Sequence, residues 1–154
     1  MTAAHHVYLS LGSNLGDRAE TLREALRRLA ALPGTRVVVA SAISETPAWG
    51  NTAQPAFLNM AVEITTTLDP DSLLAALQEI ETALGRVRAE HWGPRTLDID
   101  ILVYVGEERD TPTLSLPHPW LTRRRFVLEP LAEIAPELCV EGKTVREWLA
   151  ELLT

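Results

Sequence analysis

Several things are scarce in this chain, and each scarcity narrows what it can be. Cys139 is the only cysteine in 154 residues, so no intrachain disulfide can form and a cysteine-built metal site is not expected. A reducing, cytoplasmic setting is the simplest expectation. The residues from Met1 to His6 lack the basic stretch and apolar run of a signal peptide, and no apolar run approaches the length of a membrane span, so no membrane partner is expected. Lysine is nearly absent: Lys143 is the only one, and the remaining basic residues are arginines. The net charge of −7 argues against a general nucleic-acid binder, because phosphate backbones are held by basic surfaces. A Gly-rich phosphate loop of the G-x-x-x-x-G-K-[ST] kind is also missing, which excludes a P-loop enzyme. Only two phenylalanines occur, Phe57 and Phe126.

What is present suffices for one domain spanning 1–154, with 46% hydrophobic residues to build a core. Val7 to Leu11 reads as a strand entering a turn at Gly12-Ser13-Asn14. Leu22, Leu26 and Leu29 then recur at helical spacing, with Asp17 and Glu20 at the start and Pro33-Gly34 closing the segment. Arg36 to Ile43, rich in β-branched residues, predicts a second strand; Ser44 to Ala56 predicts a loop, and Phe57 to Thr67 a third strand. Asp69-Pro70 predicts a helix start, since Asp caps free amides and Pro suits the first turn. Leu73, Leu77, Ile80 and Leu84 form its apolar stripe, and Gly85 is where it is expected to end, with a loop from Arg86 to Arg95. A strand over Thr96 to Tyr104, a short apolar piece at Leu114 to Leu116, and two short helices over Phe126 to Ile134 and Thr144 to Leu153 complete the chain. The order βαββαβ predicts an α+β, ferredoxin-like antiparallel sheet with helices on one face, plus a C-terminal helical extension. Strands two and three are not separated by a helix, which disfavours a doubly wound parallel fold.

The most informative stretch is Trp92-Gly93-Pro94-Arg95-Thr96-Leu97-Asp98-Ile99-Asp100-Ile101-Leu102. Side chains on a strand alternate faces, so Leu97, Ile99 and Ile101 point to a core while Asp98 and Asp100 share the other face, ~7 Å apart. An ordinary wet strand face would look the same, and the arginines tip the balance. Arg86, Arg88 and Arg95 precede the strand; Arg124 and Arg125 follow it, with Arg123 adjoining. The first 85 residues differ, with five basic residues against nine acidic ones. Arginine's planar fork suits phosphate oxygens, and paired carboxylates suit Mg²⁺ shared with those phosphates. Such a layout serves phosphoryl or diphosphoryl transfer, in which the protein positions reactants and neutralises charge. Phe57 and Phe126 could sandwich a flat heterocycle or simply fill the core, and Asn59, two positions past Phe57, could bond a ring edge.

The motifs Gly12-Ser13-Asn14-Leu15-Gly16, Thr46-Pro47, Phe57-Leu58-Asn59, Gly85-Arg86-Val87-Arg88, the tract Trp92 to Leu102, and Leu116-Pro117-His118-Pro119 with Arg124, Phe126 and Pro130 occur in this order. Together they resemble the 6-hydroxymethyl-7,8-dihydropterin pyrophosphokinase family. The resemblance covers most of the chain, and the Trp92 to Leu102 tract is its most specific part. It implies an ATP-dependent diphosphotransferase of folate biosynthesis that moves diphosphate from ATP to the pterin's hydroxymethyl group and releases AMP. It implies two Mg²⁺ ions held by Asp98 and Asp100, with Arg86 and Arg95 as the catalytic cations. Pterin would stack between Phe57 and Phe126 and bond Thr46 and Asn59, with Trp49 and Trp92 adjoining. ATP would meet Gln78, Glu81, Arg86, Arg88, His91, Trp92, Arg95, Ile101, His118 and Arg124. Trp92 would belong to the loop that closes over the bound pair. The partners implied are these small molecules, for a chain acting as a monomer. Ala89 stands where some members carry Lys and His91 where another Arg is common, and no residue is assigned as the general base.

Overall fold

The computed structural model describes residues 3–14, 17–46, 57–92 and 97–153, leaving aside the side chains of 46 and 85–92. The elements are β1 (His5–Ser13), α1 (Arg18–Ala30), β2 (Thr35–Ala40), β3 (Ser44–Thr46), β4 (Phe57–Thr66), α2 (Pro70–Trp92), β5 (Asp98–Tyr104), β6 (Arg109–Asp110), β7 (Ser115–Leu116), α3 (Arg125–Ile134), β8 (Cys139–Val140), β9 (Lys143–Thr144) and α4 (Val145–Leu153). The main sheet is antiparallel in the order β2-β4-β1-β5, with β3 pairing on the other end of β4. This is the expected ferredoxin-like arrangement.

Alternation along the central strands divides apolar from polar. Val7, Leu9 and Leu11 lie opposite Ile64, Val62 and Met60, and Leu9 and Leu11 also face Ile101 and Ile99. All are buried, and they meet Leu22, Ala25 and Leu29 of α1 and Leu73, Leu77 and Ile80 of α2. Both leucine stripes therefore do what their spacing predicts. Asp17 caps α1 by accepting the amide of Glu20 at 3.2 Å, and Asp69 accepts that of Ser72 at 2.7 Å. The opposite sheet face carries a second core: Ala61 and Leu102 pack with Leu121, Val127, Leu128, Leu131, Val140 and Val145. The C-terminal extension thus supplies a lid for part of the face that α1 and α2 leave uncovered.

Four boundaries differ from the sequence-based expectation. Gly12 and Ser13 belong to β1 and are not a turn; Gly12 lies between Asn59 and Asp98, and pairing on both sides overrides glycine's weak strand preference. Strand β2 stops at Ala40, short of Ile43. Beyond it the hydroxyl of Ser41 accepts the amide of Ala61 at 2.9 Å, and Glu133 of α3 accepts the amide of Ala42 at 2.8 Å. One backbone bond persists there, from the Ser41 amide to the Ala61 carbonyl at 2.8 Å, and side chains take over beyond it. Within the expected loop, Ser44–Thr46 forms β3 against Asn59, Leu58 and Phe57. Helix α2 does not end at Gly85; it runs on to Trp92, so residues 86–92 are helical and not a loop. An interior glycine costs a helix about 1 kcal/mol relative to alanine, a penalty that the helix formers Arg86, Arg88, Ala89 and Glu90 can absorb.

Candidate functional site

Among the described residues, α3 and α4 cover only part of the second face of the sheet. Two rows of residues cross its three strands: Ala61, Ser10 and Asp100, then Asn59, Gly12 and Asp98. Residues paired directly across strands project to the same side, so both aspartates share this face with Asn59. Leu97, Ile99 and Ile101 point the other way and are buried, while Asp98 and Asp100 are exposed. The alternation read from the sequence is the alternation in the structure. Asn59 is buried, and Phe57, two residues earlier, lies on its side of β4. Strand β3 brings the backbone of Thr46 opposite Phe57.

Gly12 is the residue that sequence reasoning missed here. A Cβ at this position would lie 3.2 Å from Asn59 Oδ1 and 3.9 Å from Phe57 Cδ1. The absent side chain therefore leaves bare backbone between the amide, the ring and Asp98. A glycine within a strand marks close approach of another group. Continuing the period-2 pattern one step beyond Leu11 would have put it on the polar face.

Glu81, expected near the nucleotide, reaches from α2 to the outer edge of β5. Its Oε2 accepts the amide of Ile99 at 2.7 Å, on the backbone between the two aspartates. Next to it lies a cleft of about 220 Å³ lined by Asp100, Ile101, His118, Leu74, Leu114 and Ile99 among others. Three of the expected site residues thus share one cavity. Gln78 lies elsewhere, in a shallow groove of α2 with Ala75, Glu79, Thr82 and Ala83.

His118 is fixed at both ends of its residue. Its backbone amide donates to the carbonyl of Leu102 at 2.9 Å, and its Nδ1 lies 3.2 Å from the amide of Trp120. Accepting that amide leaves the hydrogen of the neutral ring on Nε2, which can donate. Burial pushes the imidazole below its ordinary value; the charge of Asp100 opposes this and that of Arg124 reinforces it. The Arg124 guanidinium carbon lies 5.7 Å from the Phe126 ring and 5.8 Å from the Trp120 ring. Phe126 itself packs against the second core at the start of α3. Trp49 and Arg95 lie outside the described residues, as do the side chains of Thr46, Arg86, Arg88, His91 and Trp92.

A family model described as 7,8-dihydro-6-hydroxymethylpterin-pyrophosphokinase (HPPK) matches residues 8–136. The chain belongs to this family. Among curated relatives, the chain is 55% identical over 145 residues to the 2-amino-4-hydroxy-6-hydroxymethyldihydropteridine pyrophosphokinase of Methylorubrum extorquens, covering 94% of this chain and 92% of that one. It is 44% identical to the pyrophosphokinase of the same name from Pseudomonas aeruginosa, over 94% of this chain and 90% of the other. Solved structures agree on the fold: an HPPK-DHPS protein of Plasmodium falciparum, solved with pteroate, gives a TM-score of 0.73 at 17% identity, covering 99% of this chain. The match spans 43% of the Plasmodium chain, less than half its length. Family membership thus rests on sequence, and the HPPK-type fold on both comparisons.

Proposed function

We infer that the protein, as a member of the HPPK family, transfers pyrophosphate from ATP to 6-hydroxymethyl-7,8-dihydropterin in folate biosynthesis, releasing AMP. The observation that carries the reading at the level of residues is the row Asn59–Gly12–Asp98. It sets an amide suited to a heterocycle edge and a carboxylate suited to a divalent cation on either side of a residue with no side chain.

The acceptor ring lies against the Gly12 backbone, its edge bonded by Asn59 and Thr46, its faces met by Phe57 and Phe126, with Trp49 and Trp92 adjoining. In this reading the hydroxymethyl oxygen points toward Asp98 and Asp100. ATP occupies the cleft beside Asp100, Ile101 and His118. The Nε2–H of His118 and the guanidinium of Arg124 meet phosphate oxygens, joined by Arg86, Arg88, His91 and Arg95. Glu81 flanks the nucleotide from α2, and Gln78, in the neighbouring groove of that helix, meets only a part of the nucleotide that extends beyond the cleft. Glu81 also fixes the strand that carries the two aspartates.

The donor set fits Mg²⁺. Two carboxylates fill part of an octahedral oxygen shell, and this ion ordinarily completes its shell with water and substrate phosphate. We assign two such ions to Asp98 and Asp100; bound there, they would lower the pKa of the attacking hydroxyl and stabilise charge on the phosphate oxygens. The protein's own task is alignment, placing the acceptor oxygen in line with the β-phosphorus. The reading extends to one domain over 1–154 acting as a monomer in the cytoplasm. Among the described residues no helix is long and apolar enough to cross a membrane.

Incubation with ATP, Mg²⁺ and hydroxymethyldihydropterin, followed by separation of the nucleotides, tests the reaction. AMP appearing in step with the pterin diphosphate is the expected result. ADP would mean transfer of a single phosphoryl group, and unchanged ATP would reject the reading.

A further inference from the structure

Trp120 belongs to neither apolar core, and 48% of its surface is exposed. A large ring in that position contributes little to packing, yet it touches the site twice. Its backbone amide donates to His118 Nδ1 at 3.2 Å. Its indole ring has the guanidinium carbons of Arg123 and Arg124 each 5.8 Å from the centroid. Arg124 is the one shared with the Phe126 ring, at 5.7 Å.

An arginine at the surface has many rotamers of similar energy, and a clamp that must find its position afresh in each encounter loses affinity through that freedom. Two aromatic faces restrict the choice. The negative face of each ring attracts the guanidinium while leaving its N–H groups free to bond oxygen atoms. The indole also offsets part of the repulsion between Arg123 and Arg124, adjacent cations that would otherwise move apart. Arg124 is thereby held near His118, whose imidazole feels its charge.

We propose that Trp120 is a positioning residue for ATP binding, its indole face holding Arg124 against Phe126 so that the guanidinium is oriented before the nucleotide arrives. The proposal rests on the diphosphoryl-transfer reading for its ligand, but it can fail separately. The backbone contact to His118 survives any side-chain substitution, so variants at this position isolate the ring.

The test compares the unmodified protein with Trp120→Phe, Trp120→Leu, Arg124→Ala and the double variant Trp120→Leu/Arg124→Ala. Calorimetry gives the Kd of a non-hydrolysable ATP analogue with Mg²⁺, and steady-state assays give KM for ATP and for the pterin. Leu keeps apolar bulk and removes the π face; Phe keeps a π face. Trp120→Leu should weaken nucleotide binding about threefold to tenfold, the range of a partly desolvated cation–π contact. Trp120→Phe should stay within about twofold, and Trp120→Leu should add less than about twofold once Arg124 is already Ala. KM for ATP should rise more than KM for the pterin. Equal binding by the Leu and Phe variants would overturn the proposal, as would a Leu effect that multiplies fully with Arg124→Ala. If the unmodified protein released no AMP while the binding cycle behaved as expected, the transfer reading would fall and the role of Trp120 would stand.

Discussion

The two faces of the sheet use the same strands for opposite ends. On one face Val7, Leu9, Leu11, Val62 and Ile64 run without interruption and are sealed by two helices. On the other, apolar residues hold only where α3 and α4 cover them; the series then passes through Ser10 and Gly12 to Asn59, Asp98 and Asp100. One face is continuous because stability scales with the apolar area removed from water. The other changes from apolar to polar where α3 and α4 no longer cover it, the composition a ligand site requires. A residue's face therefore predicts whether losing it harms the fold or the reaction.

The largest expected effect lies on the open face. Asp98→Ala or Asp100→Ala should lower turnover by about a thousandfold or more if, as proposed, these carboxylates hold the metal ions that stabilise the transferring phosphate. The melting temperature should stay near that of the unmodified protein, because both side chains are exposed. A variant that unfolds, or one that keeps most of its activity, would break the division. On the closed face the expectation inverts. Leu9→Ala empties a fully buried position in the centre of β1 and should cost about 2–5 kcal/mol in chemical denaturation. KM values of the molecules that remain folded should barely move.

Gly12→Ala sharpens the comparison, for it adds a methyl group to the open face. With only 3.2 Å to Asn59 Oδ1, the amide must shift by a few tenths of an ångström. The pterin KM should rise roughly tenfold, as when a well-aligned hydrogen bond is lost, with nucleotide binding and melting temperature little changed. Equal weakening of both substrates would show that Gly12 supports the strand and not the acceptor slot.

The smallest effect concerns acid. Asp69 is held below its ordinary value chiefly by the backbone amide of Ser72, and Glu147 chiefly by that of Thr144. A carboxylate with a depressed folded pKa contributes its full stability above its unfolded pKa and loses it as pH falls through the folded one. Stability should therefore be flat above about pH 5 with respect to these groups and decline below about pH 4. Asp69→Asn and Glu147→Gln should each reduce that acid-side slope in urea titrations recorded at several pH values; an unchanged slope would locate the titration in other groups.

Much of this was legible in the chain because it is periodic. The apolar stripes of α1 and α2 and the alternation from Leu97 to Ile101 follow from spacing, and the cap at Asp69 from residue type. The same alternation put Asp98 and Asp100 side by side. What escaped reading depends on partners distant in sequence. Gly12 looked like a turn because glycine usually breaks strands; only its neighbours Asn59 and Asp98 hold it extended. Strand β3 is three residues long and exists because β4 offers a free edge. The run of α2 past Gly85 was hidden because one glycine signals a stop more strongly than the following residues signal continuation. Trp120 carries no pattern, since contact between an indole and two guanidinium groups leaves no trace in periodicity.

The contacts along β5 have one more consequence. This strand ends the main sheet, and a bare rim of amides and carbonyls is an invitation for another chain to add itself. Glu81 occupies the amide of Ile99, and the His118 amide takes the carbonyl of Leu102. These two bonds, at 2.7 and 2.9 Å, blunt this margin against unwanted strand addition, so loosening either would promote aggregation.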